Sequence, residues 1–536
     1  MKNKLYIFMM CGALLLGATA CMDESINENQ SQPGAGDMTA DGYILVSAMN
    51  NVFGSVIPNN SNCLQFTDCL LGGVLGGYFS DGNAGFTGSF ARNNAPNNWN
   101  KVMLEDEPII PALYTNMSMV QTICEQTGDV APIAACKIVQ VATISRVTDT
   151  YGPIPFSQIG VDGVIQTPYD SQEKIYNRFF DILAEARQLL LQNPGAAMSP
   201  LVDNVYGGDM SKWLRFANSL QLRLALRISY ANPTLARQKA EEAVDPANGG
   251  LIETNEQNAT WKYYNTDKNP YYIAIIDYND DSRPSAEIAC YMNGYNDPRR
   301  SKYMRESAFT MVSGSWQTNP ADGTSLQYIG LRRGWNYLSA DVAKFSGVSM
   351  SSQQPALWMN ASEVCFLRAE GAAVFGWNMR DEAENLYNQG IRLSFDNWGV
   401  TGAEDYINDA ISKPARYYDP TSMNPWTGSM PQVTIKWDEG LSTEQKQEKI
   451  ITQKWIANWL LGHEAWADYR RTGYPFLIPV AFNGASGIVD ANVGPQRMAY
   501  PNEEYTNNLA NVQQAVSEYL GGPDNMATKL WWACKP

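Results

Sequence analysis

Lys212-Trp213-Leu214-Arg215-Phe216-Ala217-Asn218-Ser219-Leu220, continuing through Leu222-Arg223-Leu224-Ala225, is the stretch on which the fold reading turns. Trp213, Phe216, Leu220, Leu224 and Ile228 recur every third or fourth position, so they share one face of a helix. Lys212, Arg215, Arg223 and Arg227 take the rest of its circumference. An apolar stripe of that width needs other elements to cover it. Asp209 or Ser211 stands where a side-chain oxygen can accept from the first unpaired backbone N–H groups.

Working outward, 363–377 repeats the pattern. Val364, Leu367, Gly371 and Val374 share a face, and Ala369, Ala372 and Ala373 keep the surface low enough for a neighbouring helix. After Gly376-Trp377-Asn378, residues 381–395 carry a stripe of Ala383, Leu386 and Ile391, which predicts an αα-hairpin. Pairs near 104–150 and 171–193 look similar. The expected fold is mainly α: tetratricopeptide-like helical hairpins forming an α-α superhelix, although no clean 34-residue period is present. Long aperiodic stretches interrupt it at 78–99, 249–340, 397–440 and 472–500, rich in Gly, Asn, Tyr and Trp. Loops of that length are rare unless functional, and a rigid frame carrying loop-borne aromatics is a common way to build a binding face.

The first residues set the expected compartment. Lys2 and Lys4 precede an apolar run over 5–16, followed by Gly17, Ala18, Ala20 and Cys21. This reads as a signal peptide over 1–20, too short to remain as a spanning helix, with Cys21 as the lipid acceptor. Ala18 stands where a lipobox has Leu, and Ala18-Thr19-Ala20 also suits cleavage without lipidation. Residues 21–37 read as a lipidated N-terminus and flexible tether, and 38–536 as the binding domain.

A net charge of −16 argues against nucleic acid, which needs a basic face. Of the nine cysteines, Cys11 leaves with the signal and Cys21 is acylated, which leaves an odd number. Cys63 with Cys69, or Cys124 with Cys136, could pair; buried thiols are the plainer reading, and no spacing resembles a zinc site. His463 is the single histidine. His463-Glu464 begins like a metalloprotease helix, but position 467 is Ala, and no phosphate-binding glycine loop or nucleophile elbow occurs. Asp277, Asn279 and Asp281 start like a calcium loop, yet Ser282 replaces the glycine and Glu287 is out of register. Glu464 and Asp468, one turn apart beside Arg470 and Arg471, read as a structural ion network rather than a glycosidase pair. No catalytic residue, metal or cofactor is expected. The competing reading is a surface glycosidase or peptidase that works with carboxylates alone.

Several segments together resemble a known family. These are Tyr151-Gly152-Pro153-Ile154-Pro155-Phe156, the 212–225 stretch, and Glu363-Val364 with Phe366-Leu367-Arg368-Ala369-Glu370. Lys449-Ile450-Ile451-Thr452-Gln453-Lys454-Trp455 and Glu464-Ala465-Trp466-Ala467-Asp468-Tyr469-Arg470-Arg471-Thr472-Gly473-Tyr474-Pro475 follow, then Arg497 with Tyr500-Pro501. In order and composition they are similar to the SusD/RagB family of Bacteroidota outer-membrane lipoproteins, specifically its second SusD-like subgroup. The resemblance implies four tetratricopeptide-like helix pairs and a lipid-anchored protein facing outward from the outer membrane. It implies a lid on a SusC-like TonB-dependent transporter, which captures an oligosaccharide or oligopeptide without chemistry.

The matched motifs are skeleton: Trp455, Trp459 and Trp466 share a helix face and read as packing. Arg470 and Arg471 read as satisfying helix-end carbonyls and nearby carboxylates. In starch-binding members of the family an arc of rings stacks on sugar faces. No motif carries that arc here, so the ligand-contact candidates follow from loop location. They are Phe90 and Trp99 in the first long loop, and Trp316, Tyr328 and Trp335 in the second. Asp81 and Arg332 are candidates to hydrogen-bond hydroxyls or peptide termini.

Overall fold

The structure is a computed structural model that describes residues 42–83, 85–106, 109–263, 267–309, 311–312, 315–318, 325–334 and 337–536. The expected signal peptide, Cys21 and the expected tether lie outside the described residues, as does Trp335. The chain divides into two compact units, Met1–Ala48 and Met49–Pro536. Of the first, residues 42–48 are described, most of them opening helix α1 (Tyr43–Phe53).

The second unit is mainly helical. Helices α2 (Ile109–Thr127) and α3 (Ala131–Tyr151) form a hairpin across the turn at Gly128. Residues 171–193 form one helix, α4 (Gln172–Gln192), rather than a pair. Ser171 caps it by accepting from the Lys174 backbone N–H, and it packs on α3 and on α5 (Met210–Arg227). Helix α6 (Pro233–Ala243) returns along α5.

Helix α5 carries the stripe expected of it. Trp213 is fully buried, stacks on Phe53 at 5.4 Å and donates its indole N–H to Asp203 at 2.8 Å. Asp209 is the cap: Oδ1 accepts from the backbone of Ser211 at 3.0 Å and from the Ser211 hydroxyl at 2.6 Å. The polar side differs from expectation, since Arg223 and Arg227 are buried too. They are tolerated because other helices supply carboxylates to meet them.

Those carboxylates are Asp149 of α3, Glu363 of α7 (Ala361–Phe375), which forms the expected hairpin with α8 (Ala383–Asn397), and Glu464 of α10 (Gly462–Thr472), which follows α9 (Thr443–Ala457). Asn360 caps α7, and Gly376 ends it in the left-handed region at φ 65°. Helix α8 comes close to α7 at Gly390, where a Cβ would stand 2.8 Å from the Phe366 ring.

Close backbone approach also explains the run Gly72-Gly73-Val74-Leu75-Gly76. It follows a π-helical turn, Gln65–Gly72, and lies against the start of α10. A Cβ on Gly76 would be 2.5 Å from the Gly462 carbonyl oxygen, and one on Gly72 would be 2.7 Å from the His463 ring. The three tryptophans expected on one helix face do not share one, since α9 ends at Ala457 and Trp466 belongs to α10. Trp455 and Trp459 pack with Tyr78, Tyr291 and Tyr303, while Trp466 is buried and donates to the Pro495 carbonyl.

Short antiparallel pairs fasten the loops. They are β1 (Phe79–Asp81) with β5 (Ser282–Pro284), β2 (Ile154–Pro155) with β3 (Tyr169–Asp170), β4 (Ala259–Trp261) with β8 (Ala356–Met359), and β6 (Met311–Val312) with β7 (Ser315–Trp316). Cys124 and Cys136 stay apart as buried thiols, as does Cys69, so neither contemplated disulfide forms. Among the described residues no helix is long and apolar enough to cross a membrane.

Candidate functional site

Segments of all four long loops, 92–93, 332–334, 424–425 and 479–484, meet on the large unit, and buried polar anchors hold them. Arg332, 8% exposed, donates to the Pro479 carbonyl from Nε (3.1 Å) and Nη2 (2.9 Å), and from Nη1 to Asn424 Oδ1 (3.2 Å) and the Pro425 carbonyl (2.9 Å). One guanidinium therefore ties three loops together. Arg333 adds an ion pair to Glu287 at 3.0 Å, and its carbonyl accepts from the Ala481 backbone at 2.9 Å. Gly334, at φ +89°, passes so close to this segment that a Cβ would lie 2.7 Å from the Ala481 nitrogen. From the first loop, Asn93 Nδ2 donates to Asn483 Oδ1 at 3.1 Å and the Arg92 carbonyl accepts from Gly484 at 2.7 Å.

The anchored segments also present apolar side chains to solvent. Phe482 is 55% exposed and Met423 52%. Trp426 and Phe476 are half-buried and stacked, with centroids 6.0 Å apart and planes at 30°. Half-exposed rings over a rigid polar base can take a flat, C–H-bearing ligand surface.

The residues proposed from sequence fall elsewhere or do other work. Phe90 and Trp99 are buried, and Trp99 packs against Phe66 (5.2 Å), Phe86 (4.8 Å) and Phe90 (5.9 Å). Their rings are spent on each other, which corrects the expectation of a free stacking surface. Tyr328 is buried with the Arg300 guanidinium over its ring at 5.4 Å. Asp81 is buried in β1, where burial raises its pKa. Arg332 is the anchor just described, with its donors committed to protein. Trp316 pairs with Met311 through the β6–β7 backbone. Phe482, Trp426 and Phe476 were missed; they lie inside loops flagged as aperiodic, but no local pattern marks which ring of a loop stays outside.

The acid pair is structural. Glu464 accepts from Arg227 and lies 3.6 Å from Arg223, and Asp468 accepts from Lys454 at 2.8 Å and Arg471 at 3.2 Å. Burial alone would raise the Asp468 carboxyl, but Lys454 and Arg471 outweigh it and hold it at about 2. In Glu464 burial is likewise outweighed, by Arg223 and Arg227, so its pKa is lowered. A general acid needs the opposite shift. His463 is buried with Nε2 2.9 Å from the Thr67 carbonyl, and burial brings it down to about 4. The calcium-like loop is also occupied by protein partners. Asp277 pairs with Lys268 at 2.6 Å, and Asp281 accepts from Gln65 and Asn83 at 3.0 Å each. Among the described residues no group of three or more His, Cys, Asp or Glu could hold a metal.

Comparison with known proteins follows the same lines. The family model described as SusD-like, SusD and RagB outer membrane lipoprotein, matches residues 25–533. No curated protein matches. A SusD homolog from Bacteroides uniformis is 51% identical, with a TM-score of 0.87 over 92% of this chain and all (100%) of its own. One from Bacteroides ovatus is 36% identical, with a TM-score of 0.83 over 92% and 100%. A chitin-binding SusD homolog from Flavobacterium johnsoniae is 33% identical, with a TM-score of 0.82 over 92% and 99%.

Proposed function

The chain belongs to the SusD-like family of SusD and RagB outer-membrane lipoproteins, and on that premise we propose that it is a cell-surface glycan-binding lipoprotein. It is anchored through Cys21, captures oligosaccharides and passes them to a SusC-like TonB-dependent transporter in the outer membrane. The observation that carries the reading is that Phe482 and the stacked Trp426–Phe476 pair sit on the segments that Arg332 ties together. Exposed rings on a fixed base suit sugar faces better than an extended peptide, which asks for a free strand edge or groove. The chitin-binding relative at 33% identity favours a glycan over a peptide. Carboxylate catalysis is disfavoured by the ion-paired state of Glu464 and Asp468.

A glycan array followed by titration calorimetry tests the proposal. Phe482→Ala should weaken glycan binding by about 1–2 kcal/mol, roughly five- to thirtyfold in Kd. Unchanged affinity in Phe482→Ala, or binding to a peptide library and to no glycan, would count against it. Co-purification of a large β-barrel protein from membranes tests the transporter partnership.

A further inference from the structure

A cleft of about 470 Å³ opens between three segments. These are the short helix Val102–Asp106 with the start of α2, the long β2–β3 connection, and the short helix Asn502–Asn507. Its size is that of small-molecule sites, about 300–1,000 Å³. Most of its wall is apolar, from Met103, Leu104, Ile110, Pro111, Ile159 and Ile165.

The polar lining is informative because most of it is already used. Gln166 donates to the Asn507 carbonyl at 2.7 Å, and Asn508 donates to the Thr167 carbonyl at 2.9 Å. The ionisable groups among the described lining residues are Glu105 and Glu504, which lie against each other. Glu504 is 8% exposed and accepts from the Tyr169 hydroxyl. Neither carboxyl has a Lys or Arg in ion-pair distance among the described residues. The nearby Lys101 is engaged by Asp106 at 2.8 Å and Glu503 at 3.4 Å. Elsewhere in this protein buried carboxylates meet a cation, as Glu363, Glu370 and Asp468 do, or several N–H donors, as Asp203 does. Here two carboxyls face an apolar cleft with no cation.

We propose that this cleft binds an organic cation, a primary ammonium on a short apolar stem, with its charge between Glu105 and Glu504 and its stem along the Ile110–Ile159 wall. Burial, then Glu105, raises Glu504 to about 7 against the Tyr169 hydrogen bond, so near neutrality Glu504 is partly protonated. Tyr151, Tyr169 and Tyr500 also sense Glu504, and burial raises all three phenols, so they stay protonated. An arriving ammonium takes the proton's place: the cation enters, the second carboxyl ionises and up to one proton leaves.

Titration calorimetry of the full chain with hexylammonium at pH 6.5, in two buffers of different protonation heat, reads both binding and proton release. Hexanol and hexanoate serve as the uncharged and anionic controls. The expected result is saturable binding of hexylammonium with proton release, while neither control binds comparably. Glu105→Gln should weaken binding at least about tenfold, the scale of one charged hydrogen bond, and Glu504→Gln should also abolish proton release. Equal affinity for hexanol, no detectable binding, or full affinity in Glu105→Gln would overturn the assignment. Glycan binding in Glu105→Gln stays at the wild-type level under this proposal, so its failure and that of the glycan reading are separable.

Discussion

Changing Glu363 to Gln tests whether the buried ion network holds the helical frame together. Glu363 is fully buried; Oε1 accepts from Arg223 Nε at 2.8 Å and Oε2 from Arg223 Nη2 at 2.7 Å, with Lys454 Nζ at 3.7 Å. From there Lys454 meets Asp468, Asp468 meets Arg471, and Arg471 forks onto Glu370; Arg223 and Arg227 meet Glu464, and Arg227 meets Asp149. The glutamine would keep one acceptor but turn an NH₂ toward a guanidinium N–H, leaving Arg223 with an unmatched charge. Removing one partner of such a pair costs about 3–5 kcal/mol, a large share of the about 5–15 kcal/mol typical of a folded protein. Urea unfolding followed by circular dichroism should show a lower midpoint with an unchanged slope. The double change Glu363→Gln with Arg223→Met removes one charge of each sign. It should lose at least about 1 kcal/mol less than the two single losses combined, the signature of coupled neighbours. A loss below about 1 kcal/mol in Glu363→Gln, or strict additivity in the double variant, would refute the claim that charge balance inside the frame matters.

Stability should also vary with pH in a defined way. Asp468, held at about 2 against an ordinary 3.8, contributes stability above pH 3.8 that is lost as pH falls towards 2. His463, depressed to about 4 from 6.5, adds stability as pH rises from 4 to 6.5, whereas Glu504, raised to about 7 from 4.5, removes it between 4.5 and 7. The two act in opposite directions, so Glu504→Gln should make the slope of stability over pH 4.5–6.5 more positive than in the wild type; an unchanged profile in thermal melts would contradict these shifts. Gly330→Ala would bring a Cβ to 1.9 Å from the Ser285 carbonyl oxygen, between the Leu331–Pro284 and Ala286–Leu331 backbone hydrogen bonds. It should lower stability by about 1–3 kcal/mol and loosen the segment that carries Arg332, read as a lower unfolding midpoint and faster hydrogen exchange around 328–334. Cys21→Ala should move the protein from the membrane to the soluble fraction; retention on membranes lacking the transporter would argue against lipid anchoring.

The helical frame was legible because its determinants are local. Trp213, Phe216, Leu220 and Leu224 declare their helix within four turns, Asp209 declares its start, and Gly376 the end of α7. The pairing near 171–193 was misread because a single amphipathic helix and a short hairpin share a period, and only Ser171 at one end distinguishes them. The skeletal role of Trp455, Trp459, Trp466, Arg470 and Arg471 also followed from sequence, and the structure places all five in buried contacts. Ligand-contact candidates are another matter. Whether an aromatic in a long loop is inside or outside depends on partners far along the chain. Trp99 is buried because Phe66 meets it, and Arg332 is consumed because Pro479 and Pro425 offer carbonyls from loops about a hundred residues away or more. Phe482 stays exposed because its own segment is pinned beneath it by Arg333 and Asn93. The same reasoning applies to Glu504, an ordinary surface acid by sequence. It becomes unusual because the fold buries it, and because Glu105, some four hundred positions earlier, arrives at the same cleft without a cation. Local pattern specifies the elements, while the chemistry of a loop-built face is decided by which distant backbone each side chain finds.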